Sequence, residues 1–229
     1  MFQLTKKRPG VYLLSFDSHI DLCYAFMRYQ ELYESPRFQG QAFTWPTYMR
    51  WYMEKNLKQG GSKHAFYYAA DWAGFNHPVD VIKQVHDLGI PDPNEYDELM
   101  MSVYKLIMRD EAKAYLIGAP PGSNTEKHEL THAMWYLNDG YKKKATNFIL
   151  PLHSTTKHET LVADLKTALF NLGYTESTAI DEINAFITTG EGGHFAAAAK
   201  KHKKEMESLR KMLKELHKKF YPDFTKDMK

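Results

Sequence analysis

Strand-like stretches in this 229-residue chain all lie before residue 119, and beyond Gly140 the pattern is helical throughout. Val11 to Phe16, Ala65 to Ala69 and Ala112 to Gly118 are short apolar or aromatic runs, the last broken by Pro120-Pro121-Gly122. Helical spacing predicts helices near 18–33, 44–58, 79–88, 94–109 and 124–137, then near 141–150, 156–172, 176–189 and 195–220. A parallel α/β fold needs strands alternating with helices along the whole chain, and this order does not provide them. The expectation is α+β, with a small sheet and a predominantly helical C-terminal half. No repeat recurs at a solenoid period.

Composition excludes several function classes. A net charge of +2, with 25% charged residues, gives no global case for a nucleic-acid or anionic-membrane partner. The single cysteine, Cys23, rules out an internal disulfide and favours a reducing compartment. Its place in the apolar pattern Ile20, Cys23, Tyr24, Met27 reads as a small core residue rather than a reactive thiol. No apolar segment follows the basic start, and no run of 18 apolar residues occurs, so a soluble cytoplasmic chain is expected. A P-loop, a GxGxxG after a strand and a GxSxG elbow are all missing from the sequence.

The residues that carry chemistry are His128-Glu129-Leu130-Thr131-His132, an HExxH run. Helical residues four apart share a face, so His128 and His132 can turn both imidazoles toward one metal ion. Glu129 sits about 100° further round, where its carboxylate can reach a metal-bound water without ligating the metal. Ser123 or Asn124 is a suitable N-cap, and Glu126 and Glu129 complement the helix dipole. Leu130, Ala133, Met134 and Leu137 form the face expected to be buried, with His128 and Trp135 off it and His132 at its margin. Gly140 suits a left-handed position that closes the helix.

A catalytic zinc site usually takes three protein ligands and leaves a position for water. A metzincin would place Gly at 135 and His at 138, where this chain has Trp135 and Asn138. A later segment, Asp181-Glu182-Ile183-Asn184-Ala185, offers a Glu followed by a small residue one turn on. With residues 128–132, it resembles a gluzincin-type zinc metallopeptidase of the thermolysin-like HExxH…E group. The likeness covers only these two stretches and the order of strand, motif helix and later helices between them.

That resemblance implies a zincin-like domain over 1–194, with 195–229 as an amphipathic helix packed on it or extending from it. It implies Zn2+ held by His128, His132 and Glu182, with Glu129 as general base and a peptide or protein as substrate. Asp139, Glu159, Glu176 and Asp181 compete with Glu182 for the third position, and Asp181 is the nearest rival. Asp181 or Asn184 could instead hold a ligand imidazole in place. An oxyanion donor in this class is usually Tyr or His; His153, His158, Tyr174 and His194 are the candidates.

The segments 34–40 and 71–76 are also similar to short microbial and viral proteins of uncharacterised activity, a likeness that brings no function with it. Pro36, Gly40 and Gly74 are most simply turn formers there. The run Lys200-Lys201-His202-Lys203-Lys204 reads as a solvated helix face. The alternative to an enzyme is an interaction protein, its aromatic loops and Lys-rich last helix binding a partner. No residue pattern sets its oligomeric state.

Overall fold

The computed structural model describes residues 1–58, 66–190 and 192–222. The chain divides into two compact units, Met1–Glu126 and Lys127–Lys229. Among the described residues the fold is mixed α and β, mostly helical, with one four-stranded sheet.

The first unit contains that sheet. Strands β1 (Phe2–Arg8) and β2 (Val11–Phe16) form an antiparallel hairpin whose register pairs Phe2 with Phe16 and Arg8 with Val11. The turn between them works because Gly10 takes φ 72°, a left-handed value that costs glycine little. Strand β4 (Tyr115–Gly118) runs parallel to β2, and β3 (Phe75–Pro78) lies antiparallel to β4, giving the order β1-β2-β4-β3. Sequence reading captures β2 and β4, which are buried and apolar. It misses both edges. Strand β1 hides its period under Lys6-Lys7-Arg8, charges that also discourage pairing with another chain. Strand β3 escapes sequence reading because it is only four residues long and ends in proline, tolerable at a sheet edge.

Helices α1 (His19–Glu34), α2 (Trp45–Lys58), α3 (Tyr68–Asp71), α4 (Asp80–Asp87) and α5 (Glu95–Met108) complete this unit. The strand expected at 65–69 is corrected in its later part, since Tyr68 opens α3; Ala65 lies outside the described residues. Helix α1 is the centre of the core, burying Leu22, Phe26, Met27 and Tyr29. Its one buried cation, Arg28, gives Nε to Asp97 Oδ1 at 3.0 Å and Nη1 to the Phe43 carbonyl at 2.5 Å. Asp97 also closes the capping box of α5 on Asn94, so one carboxylate serves both the ion pair and the helix start. Gly118 ends β4 where a Cβ would lie 2.6 Å from Phe26 Cε2, too close for any side chain.

Helix α6 (Asn124–Leu137) carries the HExxH run. The Glu126 amide donates to Ser123 Oγ at 3.0 Å, and the Gly122 amide donates to Glu126 Oε2 at 2.6 Å. The first bond satisfies a donor that the opening helical turn leaves without an intrahelical partner, and the second ties the preceding loop back onto the helix. Gly140 does not close this helix. Asn138 accepts from the Tyr141 amide and caps a new helix, α7 (Asp139–Ile149), in which Gly140 is an ordinary helical residue.

The second unit continues with α8 (Thr156–Asn171), α9 (Glu176–Thr189), a 3-10 turn at Gly192–Phe195, α10 (Ala196–Lys201) and α11 (Lys203–Phe220). The single helix expected over 195–220 is thus broken at His202. There Asp164 Oδ2 holds His202 Nε2 and Lys201 Nζ, each at 2.8 Å. Leu161, Leu165 and Leu169 of α8 interlock with Ile183 and Ile187 of α9 and with Leu209, Leu213 and Leu216 of α11. These residues recur at three and four positions, so each helix turns one stripe inward. Phe195 and Ala198 join the same core, which ties the residues after 194 to α8 and α9. Among the described residues, no helix is long and apolar enough to cross a membrane.

Candidate metal centre

Residues His128 to Trp135 of α6 are buried at every position. The amphipathic expectation therefore holds for Leu130, Ala133 and Met134, only partly for the half-buried Leu137, and fails for His128 and for Trp135, which is buried in the second unit's core with Lys142 over its ring. Within this enclosure, the four-residue spacing brings the two imidazoles together. The Nε2 atoms of His128 and His132 are 3.1 Å apart, with ring centroids at 4.9 Å.

Helix α9 adds a carboxylate to this pair. Glu182 Oε2 lies 3.6 Å from His128 Nε2, and Glu182 Oε1 lies 3.6 Å from His132 Nε2. One ligand atom from each of the three residues falls within 4.8 Å of the others, and all three residues are buried. Donors bound at about 2.0–2.1 Å around a tetrahedral ion stand roughly 3.3 Å apart. The 3.1 Å between the imidazole nitrogens and the 3.6 Å from each to a Glu182 oxygen lie close to that value, so the group could hold a metal ion. Glu182 Oε2 is buried with His128 Nε2 at 3.6 Å, longer than a hydrogen bond, a separation that leaves room for a cation between them.

The electrostatics match a cation-hungry pocket. Burial alone would drive the proton off His132, but the Asp181 and Glu182 carboxylates overcome it and hold the ring well above its usual range. Burial would likewise protonate Glu182, yet His132 and His128 keep its carboxyl below the ordinary value. Glu129 is buried beside this group, and its charge adds to the field that raises His132.

The rivals for the third position separate in space. Asp139 is exposed at the start of α7. Glu159 is exposed and bonded by Ser154, and Glu176 is exposed and paired with Lys166. Asp181 does reach the centre, but by the other ring nitrogen: its Oδ2 lies 3.0 Å from His132 Nδ1. Asn184 is fully buried and accepts the Tyr141 hydroxyl at 2.9 Å rather than an imidazole.

Phe186 is the residue that sequence reading overlooks. Its ring lies 4.5 Å from His128, and Tyr174, His194 and Phe195 surround it at 6.5, 5.5 and 5.7 Å. The available signal was spacing, since Phe186 follows Glu182 by one helical turn. Of the proposed oxyanion donors, Tyr174 and His194 stand against Phe186, with His194 exposed. His153 is exposed, while His158 gives its Nε2 to the Ile149 carbonyl at 2.9 Å. His158 also lines a cavity of about 280 Å³ with Ile149, Leu150, Pro151 and Val162, and none of His128, His132 and Glu182 lines it.

Elsewhere, Cys23 lies 3.5 Å from His19 Nε2, a pairing that could be taken for a nucleophile and its base. Burial pushes the Cys23 thiol up to about 12, and His19 Nε2 also contacts the Ala69 and Trp72 carbonyls at 2.9 Å. A nitrogen that donates to carbonyls cannot accept the thiol proton, so Cys23 is an inert core residue.

Comparisons with protein-family models, with curated proteins and with solved structures found no match for this chain.

Proposed function

We propose that this chain is a zinc-dependent amide hydrolase, most simply a metallopeptidase, centred on His128, His132 and Glu182. The observation that supports the reading is the donor set: two imidazoles and one carboxylate converge in a buried site, with Glu129 one residue beyond the first ligand. Structural zinc sites are usually closed by four protein ligands, whereas three ligands leave a position for water or substrate. Two imidazoles and a carboxylate also suit iron(II), and it is the HExxH order, with Glu129 beside the first ligand, that favours zinc here. Bound there, zinc would lower the pKa of a water and polarise a substrate carbonyl.

The protein's own residues would do the rest. Glu129 would accept a proton from the attacking water and pass it to the leaving nitrogen, the role of a general base that becomes a general acid. Phe186 covers one side of His128 and keeps water from that ring, which strengthens every charge interaction in the site. Tyr174 and His194, which stand beside Phe186, are the residues we propose would donate to a developing oxyanion. A peptide library incubated with the zinc-loaded chain tests the reading. Cleavage that stops on chelation and returns with zinc supports it, and a chain that takes up no metal overturns it.

A further inference from the structure

We propose that Asp181 is the positioning residue of this centre, accepting the Nδ1 proton of His132 so that Nε2 carries the lone pair offered to the metal. The inference rests on the metal-centre reading above and adds an assignment that the three ligands alone do not contain.

The geometry places the two functions on opposite edges of one ring. His132 Nε2 faces His128 Nε2 at 3.1 Å and Glu182 Oε1 at 3.6 Å, while Nδ1 faces Asp181 Oδ2 at 3.0 Å. A neutral imidazole has one N–H and one lone pair, so the group bonded to one nitrogen decides the chemistry of the other. A carboxylate at Nδ1 can only accept, and it therefore selects the tautomer with its proton on Nδ1. The same contact excludes Asp181 as a ligand beside Nε2, because its bonded oxygen lies across the ring from the converging donors.

Helix α9 can deliver both acids because consecutive helical residues point about 100° apart. Glu182 enters the space between the imidazoles, and Asp181 passes along the flank of His132. Rotation of α9 is held by the Tyr141 hydroxyl of α7, which donates to Asn184 Oδ1 at 2.9 Å. His132 is 3% exposed, so little water competes for its Nδ1 proton. Asp181 also brings negative charge beside the ligand it orients, which raises the basicity of Nε2 toward a cation.

The test is metal affinity, with cobalt as a coloured stand-in for zinc. The full chain, Asp181→Asn and Asp181→Ala are titrated with Co2+ against a competing chelator, following the visible absorption of the bound ion. Far-UV circular dichroism confirms that the near-isosteric Asn variant keeps its helices. The expected result is a 10- to 100-fold weaker affinity for Asp181→Asn. Nitrogen-15 NMR of the zinc-loaded wild type should show His132 protonated at Nδ1 and bound through Nε2.

Asp181→Asn binding within twofold of wild type, or His132 bound through Nδ1, overturns the positioning role. So does a pattern in which Glu182→Gln keeps the metal and Asp181→Asn loses it, since Asp181 would then be the ligand. Failure of the wild type itself to bind cobalt or zinc is a different result and sinks the underlying metal-centre reading.

Discussion

The Nε2 atoms of His128 and His132 face each other at 3.1 Å across a space that Glu182 closes from α9. A three-donor centre of this kind makes metal content a property of three separate residues. Purified chain should carry about one zinc, and His132→Ala should abolish it, because two remaining donors rarely retain zinc against a chelator. Elemental analysis after dialysis decides this. Retention of a full equivalent by His132→Ala would place the metal elsewhere.

Glu129 should separate binding from chemistry. Glu129→Gln keeps the volume and removes the base, so the metal should stay while the hydrolysis rate falls by about 10²- to 10⁴-fold. Rate and zinc content are measured on the same preparation. Equal losses of metal and activity would instead make Glu129 a ligand.

Gly118→Ala tests the close approach of β4 and α1. The added methyl would meet Phe26 Cε2 at 2.6 Å and Leu22 Cδ1 at 3.0 Å, and both side chains are fully or almost fully buried. Phe26 is further confined by its stack on Phe75 at 5.3 Å. Denaturant unfolding should show a loss of about 1–3 kcal/mol. An unchanged midpoint would mean that the Phe26 ring is free to withdraw.

His77 gives the first unit a defined acid limit. It is fully buried on β3, and burial lowers its pKa from 6.5 to about 4, while its Nδ1 donates to the Pro78 carbonyl at 2.9 Å. The unfolded chain takes up this proton below pH 6.5, and the folded chain resists until about pH 4. Stability is therefore complete above pH 6.5 and falls as pH drops through that window, by about 3 kcal/mol in total. Unfolding curves for wild type and His77→Phe across pH 4–7 check it. Equal slopes in the two proteins would remove His77 as the cause.

Much of the site was legible because its signals are local. The cap at Ser123, the spacing of His128 and His132 and the periodic apolar residues of α9 all act within one or two helical turns. The choice between Asp181 and Glu182 was not legible, since both lie on one helix and only the packed rotation of α9 decides which faces the imidazoles. The sheet edges escaped for a related reason. Strands β1 and β3 draw their character from a neighbouring strand, and each carries residues, the basic run or Pro78, that suit an edge but blur the alternation.

Consecutive placement of Asp181 and Glu182 gives α9 the properties of a dial. Deleting one residue from the turn between Thr175 and Ile180 would rotate everything after it by about 100° and draw it back by about 1.5 Å. Both carboxylates would survive in the sequence, at nearly the same height along the helix, yet neither would meet the nitrogen it now serves. The candidate metal centre is therefore written in angular phase as much as in residue identity, and a chain that keeps every acidic and imidazole group loses it by a single click.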